Sequence, residues 1–133
     1  MANFSFDELL AKREQRKADK LSVTQLHVPD SDKTLTVKKL TDSKLLDLLG
    51  RIADAQGDLT QILQATDEAL YHACDQLQDP KLREALELSD PLDVVPALFD
   101  VAERNALGHE LAVFLGIWNE EQKDENTEHP VKN

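Results

Sequence analysis

The chain has 133 residues and a formal net charge of -11, from 15 Lys and Arg against 26 Asp and Glu. This length suits one domain, and the negative charge disfavours nucleic acid as a partner because polyanions would be repelled. The single cysteine excludes an internal disulfide; with no apolar leader after Met1 and no run of about 18 apolar residues, the sequence predicts a cytoplasmic protein with no membrane partner.

The first predicted element is a helix that begins after Ser5. Ser5 and Glu8 have the spacing of a capping box, in which each side chain accepts a hydrogen bond from the backbone amide of the other residue. The first turns are apolar, but residues 12–20 are mostly charged and offer almost nothing to bury. This basic half is either a solvated helix, supported by pairs such as Arg16 with Asp19 and Arg13 with Glu14, or a contact for acidic surfaces that include the chain's own.

Two alternating apolar segments follow the first helix and predict a β-hairpin. The first segment begins at Leu21, and the second covers residues 34–40, with Leu35 and Val37 on one face. Residues 29–33 between them are typical of a turn. A lone hairpin is marginal in water, so this one must pack on helices or extend its sheet with strands of another copy.

Two core helices are predicted after the hairpin. Thr41 and Asp58 are the capping residues at their starts, and the leucine and isoleucine residues that follow are spaced along one face of each helix. Cys74 falls on the apolar stripe of the second helix. This position favours a small, buried hydrophobic side chain over a reactive thiol.

Prolines mark the helix starts in the next part of the chain. Pro80 and Pro91 each follow an aspartate, which predicts a capped helix with proline at its first position. Pro96 predicts a kink or a fresh helix start near Val95, because proline in a helix interior costs about 3 kcal/mol.

The order of these elements predicts a mainly helical α+β fold for a single domain over residues 1–118. It consists of an N-terminal helix, one β-hairpin and a multi-helix bundle. Residues 119–133 are polar, and Val131 alone is suited to burial. Such a segment does not recover the free-energy cost of ordering itself, so we expect a disordered, acidic C-terminal tail.

The last predicted helix, from Leu107 to Trp118, has a wide apolar surface. At about 100° per residue its apolar side chains cover an arc of roughly 200°. Either the helix is central and packed on several sides, or one edge packs inside while the other, with Trp118, receives an apolar partner. Together with the segment 92–99, this helix supplies the candidate partner-binding residues: Leu92, Val95, Phe99, Leu107, Leu111, Phe114, Leu115, Ile117 and Trp118.

The sequence contains no recognisable catalytic or ligand-binding constellation. Its four glycines are too scattered for a phosphate loop. Asp30 and Asp32 lack the glycine and the glutamate of a calcium loop, and His27 and His72 lack the further ligands of a metal site. We therefore expect a protein that is not an enzyme and that has no catalytic residues, no cofactor and no metal.

Three segments of the chain, together with the hairpin, resemble one known family. They are residues 10–20 (LAKREQRKADK), residues 77–86 (LQDPKLREAL) and residues 90–96 (DPLDVVP). These segments look like those of the XkdN-like tail assembly chaperones of phages and prophages that infect Gram-positive hosts. The likeness covers about Phe6 to Trp118, and its motifs are packing and capping elements. It therefore implies a role without implying catalytic residues.

The role that the resemblance implies is that of a non-catalytic assembly factor of long-tailed phages. Such chaperones bind and solubilise the tape measure protein, a long helical chain with apolar stripes, until tail tube subunits polymerise around it. The implied partner is the tape measure protein; the tail tube protein and a longer, frameshifted form of the chain are further candidates. The implied location is the host bacterial cytoplasm and not the mature virion.

Two alternatives stay open at this point. A homo-oligomer could form through the edge of the hairpin, since an isolated edge presents unpaired backbone groups, but Lys38 and Lys39 could equally protect that edge. The alternative function is a small structural tail or head-tail joining protein of the virion, in which the hairpin adds to a ring of sheets.

Overall fold

The computed structural model describes residues 2–118 of the chain. Its elements follow the predicted order of helix, hairpin and helical bundle, which confirms the mainly helical α+β fold class. The predicted disorder of residues 119–133 lies outside the described residues. In chain order the elements are α1 (Phe6–Lys20), β1 (Val23–His27), β2 (Thr34–Lys38), α2 (Asp42–Ala55), α3 (Leu59–Ala73), a 3₁₀ turn (Asp75–Gln78), α4 (Pro80–Ala85), a 3₁₀ turn (Pro91–Asp93), α5 (Val94–Leu98) and α6 (Val101–Leu115).

The helix starts are set by the capping residues that the sequence predicts. At α1 the amide of Ser5 donates to Glu8 Oε1 at 2.8 Å, and the amide of Glu8 donates to Ser5 Oγ at 3.1 Å. At α3 the Asp58 carboxylate accepts from the amides of Thr60 and Gln61, at 3.0 and 3.4 Å. These bonds satisfy amides that have no partner within the helix, and they confirm both predicted caps.

The prolines also lie where the sequence places them. Pro80 and Pro91 follow the capping residues Asp79 and Asp90, each of which accepts a backbone amide at 2.9 Å. Pro96 lies in the first turn of α5, where a missing amide hydrogen leaves no helical hydrogen bond unmade. The chain therefore makes a 3₁₀ turn and then a fresh helix start, as Pro96 predicts.

The hairpin packs on the helices. β1 and β2 pair antiparallel, with Leu26 opposite Leu35, and their inward side chains Leu26 and Val37 are 2% and 1% exposed. The ammonium group of Lys39 donates to the backbone carbonyl of Phe114 and lies 4.2 Å from the centre of its ring. This contact joins the residue that follows β2 to the C-terminal part of α6.

Helix α1 contacts the start of α2 through exposed ion pairs. Among the described residues, none of its side chains is buried. Arg16 and Lys20 both pair with the carboxylate of Asp42 in the first turn of α2. The predicted pair of Arg16 with Asp19 is therefore wrong, because the long Arg16 side chain reaches a carboxylate across the fold. The basic half of α1 is solvated, with the predicted pair of Arg13 with Glu14 present at 3.4 Å, and it also contacts the carboxylate of Asp42.

Helix α6 differs from its predicted bounds at both ends. It begins earlier than Leu107, because Asp100 and Glu103 form a capping box with amide bonds of 2.9 and 2.8 Å. It ends at Leu115, because Gly116 adopts a φ of 82°, which glycine reaches without steric cost.

The chain turns away from the axis of α6 after Gly116. The amides of Gly116 and Ile117 bond back to the carbonyls of Val113 and Ala112, both at 3.1 Å. This pattern is a Schellman-type helix end, and it satisfies carbonyls that would otherwise lack donors. Trp118 therefore follows a turn and is not helical, which corrects the predicted helix.

The hydrophobic core lies between α3, α5 and α6 and is closed by the hairpin. Cys74 at the end of α3 is fully buried, and this burial raises the pKa of its thiol. The interpretation of Cys74 as a buried hydrophobic side chain is confirmed. The largest fully buried side chains of the core are Leu70, Leu107, Leu111, Val37, Val94, Val95 and Cys74.

Candidate partner-binding groove

An open apolar groove of about 1130 Å³ runs between α2, α3 and α6. Both α2 and α6 pack against α3, so that α3 forms the floor and the other two helices form the walls. The α6 residues that line it run from Val101 to Ala112, a distance of about 16 Å at a rise of about 1.5 Å per residue. This length equals about three helical turns.

Large apolar side chains in the groove are open to solvent. Leu59 on the floor is 79% exposed, Val101 on the α6 wall 62%, and Leu49 on the α2 wall 40%. A contiguous apolar surface of this kind marks an interaction site more often than scattered exposed side chains do. The groove is therefore the strongest candidate for a binding site on the described part of the chain.

A close approach of α3 and α6 sets the depth of the groove. A Cβ atom added to Gly108 of α6 would lie 3.2 Å from both Cβ and Oγ1 of Thr66 on α3. The hydroxyl of Thr66 donates to the carbonyl of Leu63 at 3.0 Å, which holds its side chain in place. The two helices approach this closely because residue 108 has no side chain.

A buried ion pair joins the same two helices beside the groove. The side chains of Asp67 and Arg104 are 8% and 15% exposed, with Arg104 Nη2 3.2 Å from Asp67 Oδ2. Burial raises the pKa of Asp67, and the hydrogen bond and positive charge of Arg104 oppose that shift. The pair fixes α6 against α3 and thereby fixes the wall of the groove against its floor.

The turn at Gly116 places Trp118 at one end of the groove. Its indole ring lies against the imidazole of His109 on α6, with 5.3 Å between ring centres and an angle of 63° between their planes. Such an edge-on arrangement is favourable for aromatic rings. Trp118 is 39% exposed, so that part of the indole is open to a partner.

The structure divides the nine predicted partner-binding residues into three groups. Ile117 and Trp118 line the groove. Leu92, Phe99 and Phe114 are partly buried. The other four are buried in the chain's own core, and they are Val95, Leu107, Leu111 and Leu115.

The wide apolar arc of α6 is thus used twice. One side of the helix packs into the core, and another side, which includes Val101, Gly108 and Ala112, lines the groove. The four core residues cannot contact a partner without rearrangement of the fold. Binding of a partner at Ile117 and Trp118 stays a prediction.

The floor and the opposite wall of the groove were not among the predicted site residues. Leu49, Ile52, Leu59 and Ile62 were assigned to core faces, since their spacing is that of an amphipathic helix. The sequence of α2 does contain a signal for the groove. Residues 45–52 include four leucines and one isoleucine, and one narrow face of a helix cannot hold them all. Such an excess indicates a second contact surface.

A smaller pocket of about 120 Å³ lies between α2 and α3 and is lined by charged side chains. Arg51 and Glu68 form an ion pair there. Burial, together with the nearby charge of Lys44, lowers the pKa of His72. Within residues 2–118, no group of three or more His, Cys, Asp and Glu side chains is arranged to hold a metal ion.

Comparisons of the chain with family models, with curated proteins and with solved structures find no match. In the described part of the chain, no helix has both the length and the apolar character needed to cross a membrane. Function is therefore inferred from the groove and its surroundings.

Proposed function

We propose that this chain is a non-catalytic phage tail assembly chaperone that binds apolar helical segments of the tape measure protein. The observation that carries the proposal is the open apolar groove between α2, α3 and α6, with Leu59 and Val101 largely exposed. The resemblance of residues 10–20, 77–86 and 90–96 to the XkdN-like chaperones supports the same role.

The dimensions of the groove suit a helical segment. An amphipathic helix binds such a groove through apolar side chains at positions i, i+3, i+4 and i+7, which fall within about three turns. The apolar stripes of a tape measure protein that has no tail tube around it would otherwise associate with one another. Covering these stripes in the host cytoplasm keeps the client soluble until assembly.

The charge of the chain suits a solubilising role. Asp58 and Asp100 immediately precede the groove residues Leu59 and Val101, so carboxylates flank the apolar surface. The net charge of -11 keeps a coated client soluble through mutual repulsion. Many copies act on one client, so modest affinity per copy is sufficient and tail tube subunits can displace them in turn. The chaperone is then absent from the finished particle.

Co-expression with the tape measure protein of the same phage or prophage tests the proposal. We expect the wild-type chain to raise the soluble fraction of that protein. Leu59→Asp should abolish most of this effect because it places a charge on the apolar floor. The matched control Leu21→Asp changes a side chain that is 83% exposed and lies outside the groove, and it should act like wild type. A tape measure protein that is equally insoluble with and without the wild-type chain would refute the proposal.

The second candidate is a small structural protein of the tail or of the head-tail joint. It is favoured by the hairpin, because within the described residues its sheet has two strands and therefore two open edges. The protein content of purified virions distinguishes the two functions. A structural part is present in stoichiometric copies, and a chaperone is missing.

A further inference from the structure

The N-terminal end of the chain exposes a second apolar surface. Phe4 is 60% exposed, Phe6 76%, Leu9 54% and Leu10 44%, so that a large part of each side chain is open to solvent. Phe6, Leu9 and Leu10 have the i, i+3, i+4 spacing of a helix that binds in a groove. This apolar stripe of α1 therefore resembles that of a helix that binds in a groove, and it does not lie in the groove of its own chain.

The contacts of α1 with the rest of its own fold include ion pairs at the end opposite the stripe. Arg16 and Lys20 pair with Asp42, so the C-terminal half of α1 is the part held to α2. From Arg16 back to Phe6 the helix extends about 15 Å. None of the residues that line the groove belongs to α1. The groove and the stripe are thus both open in the same chain.

The C-terminal half of α1 is basic, whereas the first turn of α1 carries Asp7 and Glu8 and the remaining chain is acidic. Residues 12–20 carry five basic and two acidic side chains, which leaves ten basic and 24 acidic side chains for all other residues. Asp58 and Asp100 adjoin the groove, and Lys12, Arg13 and Lys17 follow the apolar stripe. A helix that places its apolar turns in the groove brings these cations towards an acidic surface.

We propose that the groove of one copy binds the N-terminal helix α1 of a second copy. The apolar stripe from Phe6 to Leu10 spans about 6 Å as a helix, which fits within the length of the groove. Phe6 and Leu9 pack against the exposed Leu59 and Val101, and the basic half of α1 lies towards Asp58 and Asp100 beside the groove. Self-association then uses α1 and the groove and does not require the edges of the hairpin, and a client helix that binds the same groove must displace α1.

Complementation between two defective variants of the full chain tests the contact. The helix variant carries Phe6→Asp and Leu9→Asp, and the groove variant carries Leu59→Asp. All three side chains are more than half exposed, so neither variant should lose its fold, and circular dichroism melting verifies this. Leu21→Asp is the matched control, since it changes an equally exposed leucine outside the groove and outside the apolar stripe.

The readout is the molar mass from sedimentation equilibrium across a concentration series. We expect the mass of the wild type and of Leu21→Asp to rise with concentration, and each defective variant to associate at least about tenfold more weakly, because a central apolar contact is lost. An equimolar mixture of the two defective variants keeps one intact helix and one intact groove. It should associate more strongly than either variant alone.

Three outcomes would overturn the proposal. They are a wild-type chain that stays monomeric at every concentration, a groove variant that associates as the wild type does, and a mixture that gains nothing over its components. Direct pairing of two α1 helices gives the second outcome, since Leu59→Asp leaves α1 intact. The experiment contains no other protein, so its result is separate from that of the proposed chaperone function.

Discussion

The Nε atom of Arg104 donates to both carboxylate oxygens of Asp67, at 3.3 and 3.2 Å. Both side chains are largely buried, and the bonds join the α6 wall of the groove to its floor on α3. A buried charge is tolerated when it is paired and hydrogen-bonded, so the two residues depend on each other.

Removal of Arg104 should therefore destabilise the fold strongly. We expect Arg104→Met to lower the free energy of unfolding by about 3–5 kcal/mol, because the Asp67 carboxylate is left buried and unpaired. Urea denaturation measures the loss. Adding Asp67→Asn should recover part of it, since a neutral amide replaces the unpaired charge. If the double variant is no more stable than Arg104→Met, the ion pair is not the cause.

The same variant should respond to pH in a defined direction. Burial already raises the pKa of Asp67, and Arg104 is the group that opposes this shift; Arg104→Met therefore raises the folded-state pKa further. A carboxyl whose pKa is higher in the folded than in the unfolded state binds its proton more tightly when folded, so its contribution to stability is lost as pH rises through the folded-state pKa.

The difference in the free energy of unfolding between wild type and Arg104→Met should therefore become smaller as the pH is lowered from neutrality. Urea denaturation of both proteins at about pH 7 and about pH 5 measures the change. A difference that is constant or that grows at the lower pH would contradict this assignment of the charge on Asp67.

Two glycines in helices should respond oppositely to alanine. Gly50 lies within α2 with nothing in the described structure within 4 Å of an added Cβ, so Gly50→Ala should stabilise the fold by about 0.5–1 kcal/mol. Gly108→Ala should destabilise it by about 1 kcal/mol, because the added methyl group lies 3.2 Å from Cβ and Oγ1 of Thr66 and displacing this side chain costs more than the helix propensity gains. Thermal or urea unfolding of both variants gives the comparison, and equal stabilisation by the two changes would exclude the close approach.

The turn after α6 should be sensitive to its glycine. Gly116 has a φ of 82°, and a side chain there costs roughly 1–2 kcal/mol. Gly116→Ala should lower stability by about this amount, and Gly116→Asn by less, since asparagine tolerates the left-handed conformation. Trp118 is the single tryptophan of the chain, so its fluorescence reports whether the indole leaves His109. An unchanged spectrum together with unchanged stability would contradict this role of the turn.

Local signals predict the element starts well. Ser5, Asp58, Asp79 and Asp90 each bond to amides within three residues, so their geometry depends on neighbours that the sequence shows directly. The start of α6 carried the same kind of signal. Its capping box is formed by an aspartate and a glutamate three residues apart, but the apolar spacing becomes dense only after Leu107.

The site is harder to predict because it depends on long-range packing. Leu107 is buried in the core and Val101 is open in the groove, although both are apolar residues of one helix. Which side faces inward is decided by where α3 and α5 pack against α6. Periodicity alone shows that the apolar arc is wide, and it does not assign its edges.

The buried thiol of Cys74 can report transient opening of the hydrophobic core. The side chain is fully inaccessible in the folded protein, and it is the only sulfhydryl in the sequence. An alkylating reagent can modify it only when the surrounding helices separate. The rate of alkylation therefore measures how often the core opens. A molecule that occupies the groove and binds only the folded state should lower this rate.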